Sequence, residues 1–426
     1  MVPAVPLRSA RPRPRRSAPV AAALAAAALA GAAASPAMAA DAPRISAPAA
    51  IAVETSTGDV VFDRRGEQPR AIASTTKLMT ALLAFESGNL DRRVTIRPYA
   101  GAAVESVAGL HPGDRMTLRD LLSALMLPSG NDAAVAIARA VSGSVPAFVR
   151  RMNARSKELG LTAEFENPIG LDGRRHRASA ADLVKLALLL RRYPEFRRIV
   201  NRPSDRLESA TPPITVVNRN ALVRNVPWVD GVKTGHTSRA GYALVASGRR
   251  RGISVVTVVL GTSSEAARDA DSLALLRYAL GRYRVTTALA ARTVVARLPL
   301  RYRDEEVALV AASTVRRIAR RDERLTTRVV GTPADVEGPL AAGSRLGTIE
   351  VLQRGRVVAR VPAVTQRAVA QASVWQRADD QLAKTWVKLL LLLAVLCALA
   401  LAVAVRRQRP PAPPAAAPAT GEGLRS

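Results

Sequence analysis

The stretch IASTTKLMTALLAFE, residues 72–86, places a serine and a lysine three positions apart at the start of an apolar run. The run predicts an amphipathic helix from about Ser74 to Ser87. Residues i and i+3 share one face of a helix, so the Lys77 amine would reach the Ser74 hydroxyl. The plain alternative is that Ser74 or a neighbouring threonine caps the helix and Lys77 points into water. An isolated Ser-x-x-Lys pattern is too common to exclude that alternative.

Two further motifs follow in order, Ser-Gly-Asn at residues 129–131 and Lys-Thr-Gly at residues 233–235. A serine is a weak nucleophile until a base removes its proton. A lysine acts as that base only when it is neutral, and burial or a neighbouring cation lowers its pKa toward neutrality. The three motifs together therefore favour nucleophilic catalysis, with Ser74 as the nucleophile and Lys77 as its base.

The second and third motifs supply further groups for acyl transfer. We expect Lys233 to stay charged, to be the cation that lowers the pKa of Lys77, and to polarise the Ser129 hydroxyl. Lys233 and its neighbour Thr234 would also bind an anionic group of the substrate. Ser129 would relay a proton to the leaving amine, and Asn131 would orient either Lys77 or the substrate amide.

Gly235 lies where a substrate backbone would approach the strand expected over residues 231–238. A side chain at Gly235 would block that approach, so the glycine predicts peptide recognition by strand addition. The charge that develops on the scissile carbonyl requires two N–H donors. We expect the backbone N–H groups of Ser74 and His236 to supply them.

With these motifs the chain resembles the D-alanyl-D-alanine carboxypeptidases, low-molecular-mass penicillin-binding proteins of serine peptidase family S11. The resemblance covers about residues 44–282 and includes ASTTKLMTALLAFE, LMLPSGNDAAVAIA, NPIGLDGRRHRASAADLVKLA and DGVKTGHTSRAGYALVAS. It implies a β-lactamase/transpeptidase-like α+β fold, a peptidoglycan stem peptide ending in D-Ala-D-Ala as substrate, and β-lactam antibiotics as covalent inhibitors. It also implies an arginine for the substrate carboxylate, which we match to Arg268. The other interpretation of Arg268 is a solvated arginine on a helix.

The function expected from this resemblance is a serine-type carboxypeptidase that removes the terminal D-alanine through an acyl-enzyme on Ser74. Two alternatives remain, a D,D-endopeptidase that cuts peptide cross-links and a non-catalytic peptidoglycan-binding or scaffold protein. The intact Ser74, Lys77 and Lys233 argue against the last. No cofactor and no metal site are expected, because the histidines are scattered and the single cysteine lies in an apolar run. We expect His176 to pack or hydrogen-bond in a loop.

The surrounding sequence predicts an α+β domain over residues 44–282. AAIAVETSTGDVVFDRR predicts a β-hairpin around Thr57 and Gly58, helical patterns follow to Gly160, and β-branched runs predict antiparallel strands within residues 215–262. A closing helix, EAARDADSLALLRYAL, completes a set of helices packed on a sheet. Short alternating valine strands over residues 285–364 predict a small all-β domain, similar to the β-sandwich found behind such catalytic domains.

Both ends of the chain carry targeting or membrane patterns. Residues 1–39 run from basic to apolar to small residues, which predicts a secretory signal peptide. After a juxtamembrane linker at 365–385, an apolar run predicts a transmembrane helix over 386–405, followed by a disordered cytoplasmic tail at 406–426. The expected product is a single-pass protein of the cell membrane, with its catalytic domain on the extracytoplasmic face.

The chain is strongly basic, with a formal net charge of +29 over 426 residues. Only 3% of its residues are aromatic, so few side chains are available to stack on bases. We therefore do not expect nucleic acid as a partner. Anionic lipid head groups and anionic wall polymers fit the charge better.

Overall fold

The computed structural model describes residues 42–407. The predicted signal peptide, and the predicted tail beyond residue 407, lie outside the described residues. Up to residue 200 the elements are β1 (Ala49–Glu54), β2 (Val60–Arg64), a 3-10 turn (Ala73–Thr76), α1 (Lys77–Glu86), β3 (Arg93–Thr95), β4 (Arg115–Thr117), α2 (Leu118–Met126), α3 (Asn131–Ser142), α4 (Val145–Glu158), α5 (Ala180–Leu190) and α6 (Pro194–Val200).

The remaining elements are mostly strands. They are β5 (Ser204–Leu207), β6 (Ile214–Val217), α7 (Ala221–Asn225), β7 (Val229–Thr237), β8 (Gly241–Arg250), β9 (Ile253–Thr262), α8 (Glu265–Gly281), β10 (Tyr283–Leu289), β11 (Val294–Pro299), β12 (Glu306–Ala311), β13 (Val315–Arg320), β14 (Thr326–Val330), β15 (Arg345–Gln353), β16 (Arg356–Thr365) and α9 (Val374–Arg407).

The first five-stranded sheet has the order β2-β1-β9-β8-β7, and every neighbouring pair is antiparallel. Strand β9 is buried on both faces, since Val256 and Val258 face one hydrophobic cluster and Val255 faces another. Helix α5 packs on the first face and α8 on the second. The prediction of helices packed on an antiparallel sheet is confirmed, and β7 lies at one edge of that sheet.

Helix α1 lies in the core. All of its residues from Lys77 to Phe85 are buried. We expected an amphipathic helix, but this part of α1 has no exposed polar face. A helix that is apolar on every side is typical of a protein interior. The segment before it, expected to be helical from Ser74, is the 3-10 turn, and no side chain caps either segment. The capping role considered for Ser74 is therefore wrong, and so is the solvated position considered for Lys77.

A second sheet follows the closing helix α8. Its order is β11-β12-β16-β15-β14, and strands β10 and β13 form a separate antiparallel pair. This region has a hydrophobic cluster of its own, in which Leu309, Ile349 and Val361 are buried. The predicted short valine-rich strands are therefore present.

Asp59, in the turn between β1 and β2, connects the two sheets. Arg354 donates two hydrogen bonds of 2.6 Å to its carboxylate. Tyr283 and Arg320 donate further bonds of 2.9 and 3.3 Å. The cluster of Asp59, Arg320, Arg354 and Tyr283 is called the junction cluster below.

The last described element, α9, begins inside the segment that we expected to be a linker. Its part from Lys388 to Arg407 has a mean hydropathy of 2.8, and none of it is buried against the rest of the protein. By length and composition this part is able to span a membrane.

Candidate active site

Ser74 and Lys77 meet where the 3-10 turn passes into α1. Lys77 Nζ lies 3.1 Å from Ser74 Oγ, 2.6 Å from Asn131 Oδ1 and 2.6 Å from the Ile169 carbonyl oxygen. The lysine side chain is fully buried. Because the turn and the helix fix the spacing of the two residues, the amine faces the hydroxyl directly.

The partners of Lys77 decide what its amine can do. The oxygens of Asn131 and Ile169 can only accept, so each takes one N–H of the amine. In the neutral amine, the remaining position toward Ser74 Oγ is the lone pair. The arrangement therefore points the basic electron pair of Lys77 at the hydroxyl proton of Ser74.

Burial lowers the pKa of Lys77 to about 7. The carboxylates of Asp132 and Glu105 act in the opposite direction and raise it, while the Arg219 guanidinium lowers it further. A substantial fraction of the amine is consequently neutral near pH 7 and able to accept a proton.

Lys233 lies in the same buried region, but its contacts differ from our expectation. Its amine donates a 2.9 Å hydrogen bond to the Thr234 carbonyl oxygen. Among the residues that the structure describes, none hydrogen-bonds Ser129 Oγ, so the expected Lys233–Ser129 contact is not formed. Burial lowers the pKa of Lys233 well below its ordinary value, and the Lys77, Arg219 and Arg268 cations lower it further. These effects oppose the charge that we expected Lys233 to keep.

Two backbone positions in the site are strained. Ala73, directly before the nucleophile position, has a φ of 48°, and Ser129 has a φ of 68°. Residues other than glycine rarely adopt this left-handed conformation, and strain of this kind concentrates at functional sites. This strain was not predictable from the sequence, because neither residue is of a type that favours the conformation.

Gly235 has a structural role in addition to the one that we expected. A Cβ atom at this position would lie 3.0 Å from the Ser74 nitrogen and 3.1 Å from the Ile72 oxygen. The glycine therefore lets strand β7 pack closely against the 3-10 turn that carries Ser74. The expected role of Gly235 in substrate approach stays a prediction, and β7 lies at the edge of the sheet where strand addition would occur.

Ser74 opens into a cavity of about 690 Å³ whose wall includes Ser129, Thr234, His236 and Arg268. Arg268 is buried, so the interpretation as a solvated helix residue is wrong. Its guanidinium donates to Glu265 Oε1 at 2.7 Å and to Asp269 Oδ1 at 2.8 Å. The cavity wall thus includes a guanidinium that two carboxylates hold in place.

Sequence reasoning missed the acidic groups beside Lys77. Glu105 accepts a 2.6 Å hydrogen bond from Asn131 Nδ2 and another from the Tyr99 hydroxyl. Asp132 accepts from the backbone of residues 108–110. Glu105 is the only acid in the stretch AGAAVESVAG, and a lone acid in a run of small residues is a weak signal.

His176 and His236 make separate sets of contacts. His176 is buried, hydrogen-bonded to Thr76 and to the Glu166 backbone, which confirms the expected loop role. His236 stacks on Tyr242, with 4.0 Å between ring centroids. Within residues 42–407, no group of three His, Cys, Asp or Glu side chains is arranged to hold a metal ion.

A buried lysine that faces a serine next to a cavity lined by an arginine is the arrangement that the resemblance implied. The buried site of Ser74, Lys77, Ser129 and Lys233, together with the cavity beside it, is called the groove below. The family model for D-alanyl-D-alanine carboxypeptidases of peptidase family S11 matches residues 36–264. The chain belongs to this family. It is therefore a hydrolase and a penicillin-binding protein, of a family that acts on peptidoglycan peptides ending in D-Ala-D-Ala.

Individual relatives agree with the family assignment. The D-alanyl-D-alanine carboxypeptidase DacF of Bacillus subtilis is 30% identical over 338 residues, which cover 76% of this chain and 86% of that protein. The structure is similar to penicillin binding protein 5 from Haemophilus influenzae, with a TM-score of 0.56, 28% identity, and coverage of 77% of this chain and 99% of that one. A Streptomyces DD-transpeptidase matches with a TM-score of 0.53 and 32% identity, over 56% of this chain and 98% of that one.

Proposed function

We propose that the protein removes the terminal D-alanine of peptidoglycan stem peptides through an acyl-enzyme formed on Ser74, with Lys77 as the general base. The observation that supports this most strongly is the 3.1 Å contact between the fully buried Lys77 amine and Ser74 Oγ. Because burial lowers the pKa of Lys77 to about 7, the amine is available as a base at neutral pH.

In the acylation step, Ser74 Oγ attacks the carbonyl carbon of the penultimate D-alanine while its proton passes to Lys77 Nζ. The carbonyl oxygen becomes an oxyanion, which accepts hydrogen bonds from the backbone N–H groups of Ser74 and His236. The terminal carboxylate of the substrate binds Arg268 and Thr234, which line the same cavity. The substrate backbone adds to the free edge of β7.

The tetrahedral intermediate then collapses, and the C–N bond of the scissile peptide breaks. The proton held on Lys77 passes through the Ser129 hydroxyl to the leaving nitrogen, and free D-alanine departs. Water next attacks the ester carbon and gives a proton to Lys77. The Ser74 hydroxyl is regenerated as the shortened peptide leaves with its new carboxylate.

The wider architecture suggests how the site is delivered to its substrate. We propose that residues 1–39 are a signal peptide, that residues 386–405 cross the membrane, and that the catalytic domain lies on the extracytoplasmic face. Residues 285–364 would be a small domain that separates the site from the membrane. Its own hydrophobic cluster favours this division, as does a transpeptidase neighbour that is 98% matched by only 56% of this chain.

A fluorescent penicillin tests the proposal on the full chain in detergent. The wild type should become covalently labelled, and Ser74→Ala should not. Ser87→Ala, directly after the end of α1, is the matched control and should label like the wild type. If Ser74→Ala were labelled like the wild type, the assignment of Ser74 would be overturned. The same would follow if neither the wild type nor the control were labelled.

Product analysis separates the remaining activities. A stem pentapeptide should release free D-alanine, whereas a cross-linked dimer should stay intact. Cleavage of the dimer without release of D-alanine would indicate the endopeptidase instead. If neither substrate were cut by protein that is folded and labelled, the carboxypeptidase assignment would fail.

A further inference from the structure

The Asn131 side chain lies between two groups of opposite hydrogen-bonding character. Its amide oxygen accepts from Lys77 Nζ at 2.6 Å, and its amide nitrogen donates to Glu105 Oε2 at 2.6 Å. An asparagine amide can be turned over by rotation about its last side-chain bond, which exchanges the oxygen and the nitrogen. Something must therefore hold it with the oxygen toward the lysine.

Glu105 is able to hold it. An ionised carboxylate accepts hydrogen bonds but donates none, so it can face only the nitrogen end of the Asn131 amide. The Tyr99 hydroxyl and the Ala102 backbone N–H also donate to the Glu105 carboxylate. These donors favour the ionised form, and they hold the pKa of Glu105 below its ordinary value against the opposing effect of partial burial.

The loop that carries Glu105 is itself fixed to the start of α3. The Asp132 carboxylate accepts from the backbone N–H groups of Ala108, Gly109 and Leu110. The Asn131 backbone N–H donates to the Ser106 carbonyl oxygen at 2.8 Å. Hydrogen bonds between its loop and α3 thus help to fix the position of the Glu105 carboxylate, in addition to the bonds that the carboxylate itself accepts.

We propose that Glu105, braced by Tyr99, is a positioning residue that fixes the Asn131 amide and thereby holds the Lys77 amine in line with the Ser74 hydroxyl. The inference rests on the proposed function of Ser74 and Lys77. Glu105 does not touch the hydroxyl; it acts through Asn131.

The charge of Glu105 gives the proposal a second, measurable consequence. Four ionisable groups act on Lys77 or share its buried site, namely the carboxylates of Asp132 and Glu105, the Arg219 guanidinium and the Lys233 amine. The carboxylate of Glu105 raises the pKa of Lys77. Glu105→Gln removes that charge, and it also allows the amide of Asn131 to turn its nitrogen toward the lysine. Both changes lower the pKa of Lys77.

The test is the acylation rate constant with a fluorescent penicillin, measured from pH 5 to 9 on the full chain. In Glu105→Gln, the maximal rate should fall about 10- to 100-fold, as expected for a lost hydrogen bond to a charged group. The midpoint of the pH profile should move roughly one unit to lower pH. Tyr99→Phe should lower the rate a few-fold and leave the midpoint near that of the wild type.

Glu158→Gln is the matched control, because Glu158 is an exposed acid that pairs with Arg155 on the surface of α4. Its profile should coincide with the wild type. Glu105→Asp, which keeps the charge, should lose rate without a shift of the midpoint, and it also serves if Glu105→Gln fails to fold.

An unchanged profile in Glu105→Gln would overturn the proposal, and so would a lower rate with an unmoved midpoint, since a merely structural role predicts that result. A midpoint shift in Glu105→Asp equal to that in Glu105→Gln would also contradict it. Failure of the proposed function is distinguishable, because Ser74→Ala would then label like the wild type.

Discussion

The groove and the junction cluster both contain basic side chains, but the surroundings of these side chains differ. In the groove, Lys77 and Lys233 are fully buried, and burial lowers the pKa of both amines. In the junction cluster, Arg354 and Arg320 share the carboxylate of Asp59, and hydrogen bonds with Asp59 raise the pKa of Arg354. The pKa of Asp59 is lowered to about 2, chiefly by its hydrogen bonds with Arg354.

The difference shows what separates a structural cation from a reactive one, since the junction arginines are partly exposed and the two lysines are buried. A cation that meets a carboxylate directly stays charged and stabilises the contact, provided that the pair retains its hydrogen bonds. A lysine that meets neutral oxygens and more distant carboxylates is drawn toward its neutral form. The first arrangement joins two sheets, and the second produces a base.

The largest effect on the acylation rate is expected from Lys77→Arg, and Lys233→Arg is the comparison. Arginine stays protonated and cannot accept the serine proton. Lys77→Arg should therefore lower the acylation rate constant about 100- to 10,000-fold, the range for loss of a general base. Lys233→Arg places a guanidinium beside Thr234 and should lose only about 10-fold, a cost of tight packing. Stopped-flow labelling with a fluorescent penicillin measures both.

Lys185→Arg is the control for that comparison, because Lys185 is exposed on α5. It should leave the rate unchanged. If Lys233→Arg were the more damaging change in protein with a wild-type melting profile, the assignment of the base to Lys77 would be wrong.

His176 extends the comparison to a buried base outside the groove. Its Nδ1 accepts from the Glu166 backbone N–H, so its Nε2 carries the proton and donates to Thr76 Oγ1. Burial lowers the pKa of His176 to about 4. The unfolded chain therefore binds more protons than the folded chain between about pH 6.5 and pH 4, and stability falls as the pH drops through that window.

The expected loss is at most about 3 kcal/mol of the free energy of unfolding. Urea titrations at pH 7 and pH 4.5 measure it. In His176→Gln the difference between the two pH values should shrink by most of that amount. An equal pH dependence in wild type and variant would show that His176 does not titrate as the structure requires.

Asp59→Asn removes the anion of the junction cluster. The variant should lose about 2 kcal/mol of stability at pH 7, since Arg320 and Arg354 keep their charge but lose the Asp59 carboxylate. Arg354 then keeps Glu323 as its acidic partner. Because the pKa of Asp59 is lowered, its contribution is present above its ordinary pKa and disappears as the pH falls toward 2. Thermal melting at several pH values measures this loss.

Catalytic activity distinguishes the junction from the groove. Asp59→Asn should keep its D-alanine release within about two-fold of the wild type at 25 °C, a difference well below 1 kcal/mol. Asp63→Asn, an exposed change on the same hairpin, should alter neither property. A large loss of activity in folded Asp59→Asn protein would contradict the structural assignment of the junction cluster.

The smallest expected effect concerns Arg219, which lowers the pKa of Lys77 from a solvent-exposed position. Arg219→Gln should raise the midpoint of the acylation profile by less than about one pH unit, since exposed charges are screened. Arg224→Gln, on neighbouring α7, is the control. A shift to lower pH would contradict the sign of the interaction.

Much of the site was predictable because its motifs are short. Ser74 and Lys77 are three residues apart, and Ser129 and Asn131 are two apart, so local structure alone brings each pair together. The hairpin and the strand β7 with its Lys-Thr-Gly motif were predictable from alternation and turn residues.

Other features depended on packing that no local pattern contains. Glu105 contacts Asn131 because Asp132 holds its loop against α3. The close approach of β7 to the 3-10 turn gives Gly235 its role, and the burial of Arg268 distinguishes it from the many exposed arginines. The Lys233 amine donates to the Thr234 carbonyl oxygen instead of contacting Ser129. A sequence motif does not indicate the direction of that carbonyl group.

The most direct test of the central claim is the titration of the lysine side chains themselves. The chain contains only six lysines, so ¹³C labelling of lysine Cε gives few NMR signals. Two of them should titrate well below the ordinary lysine range. The signal that is absent from Lys77→Arg should have its midpoint near pH 7, in accord with the burial of that amine. If that signal titrated with the exposed lysines instead, Lys77 would be charged at neutral pH and could not be the base that activates Ser74.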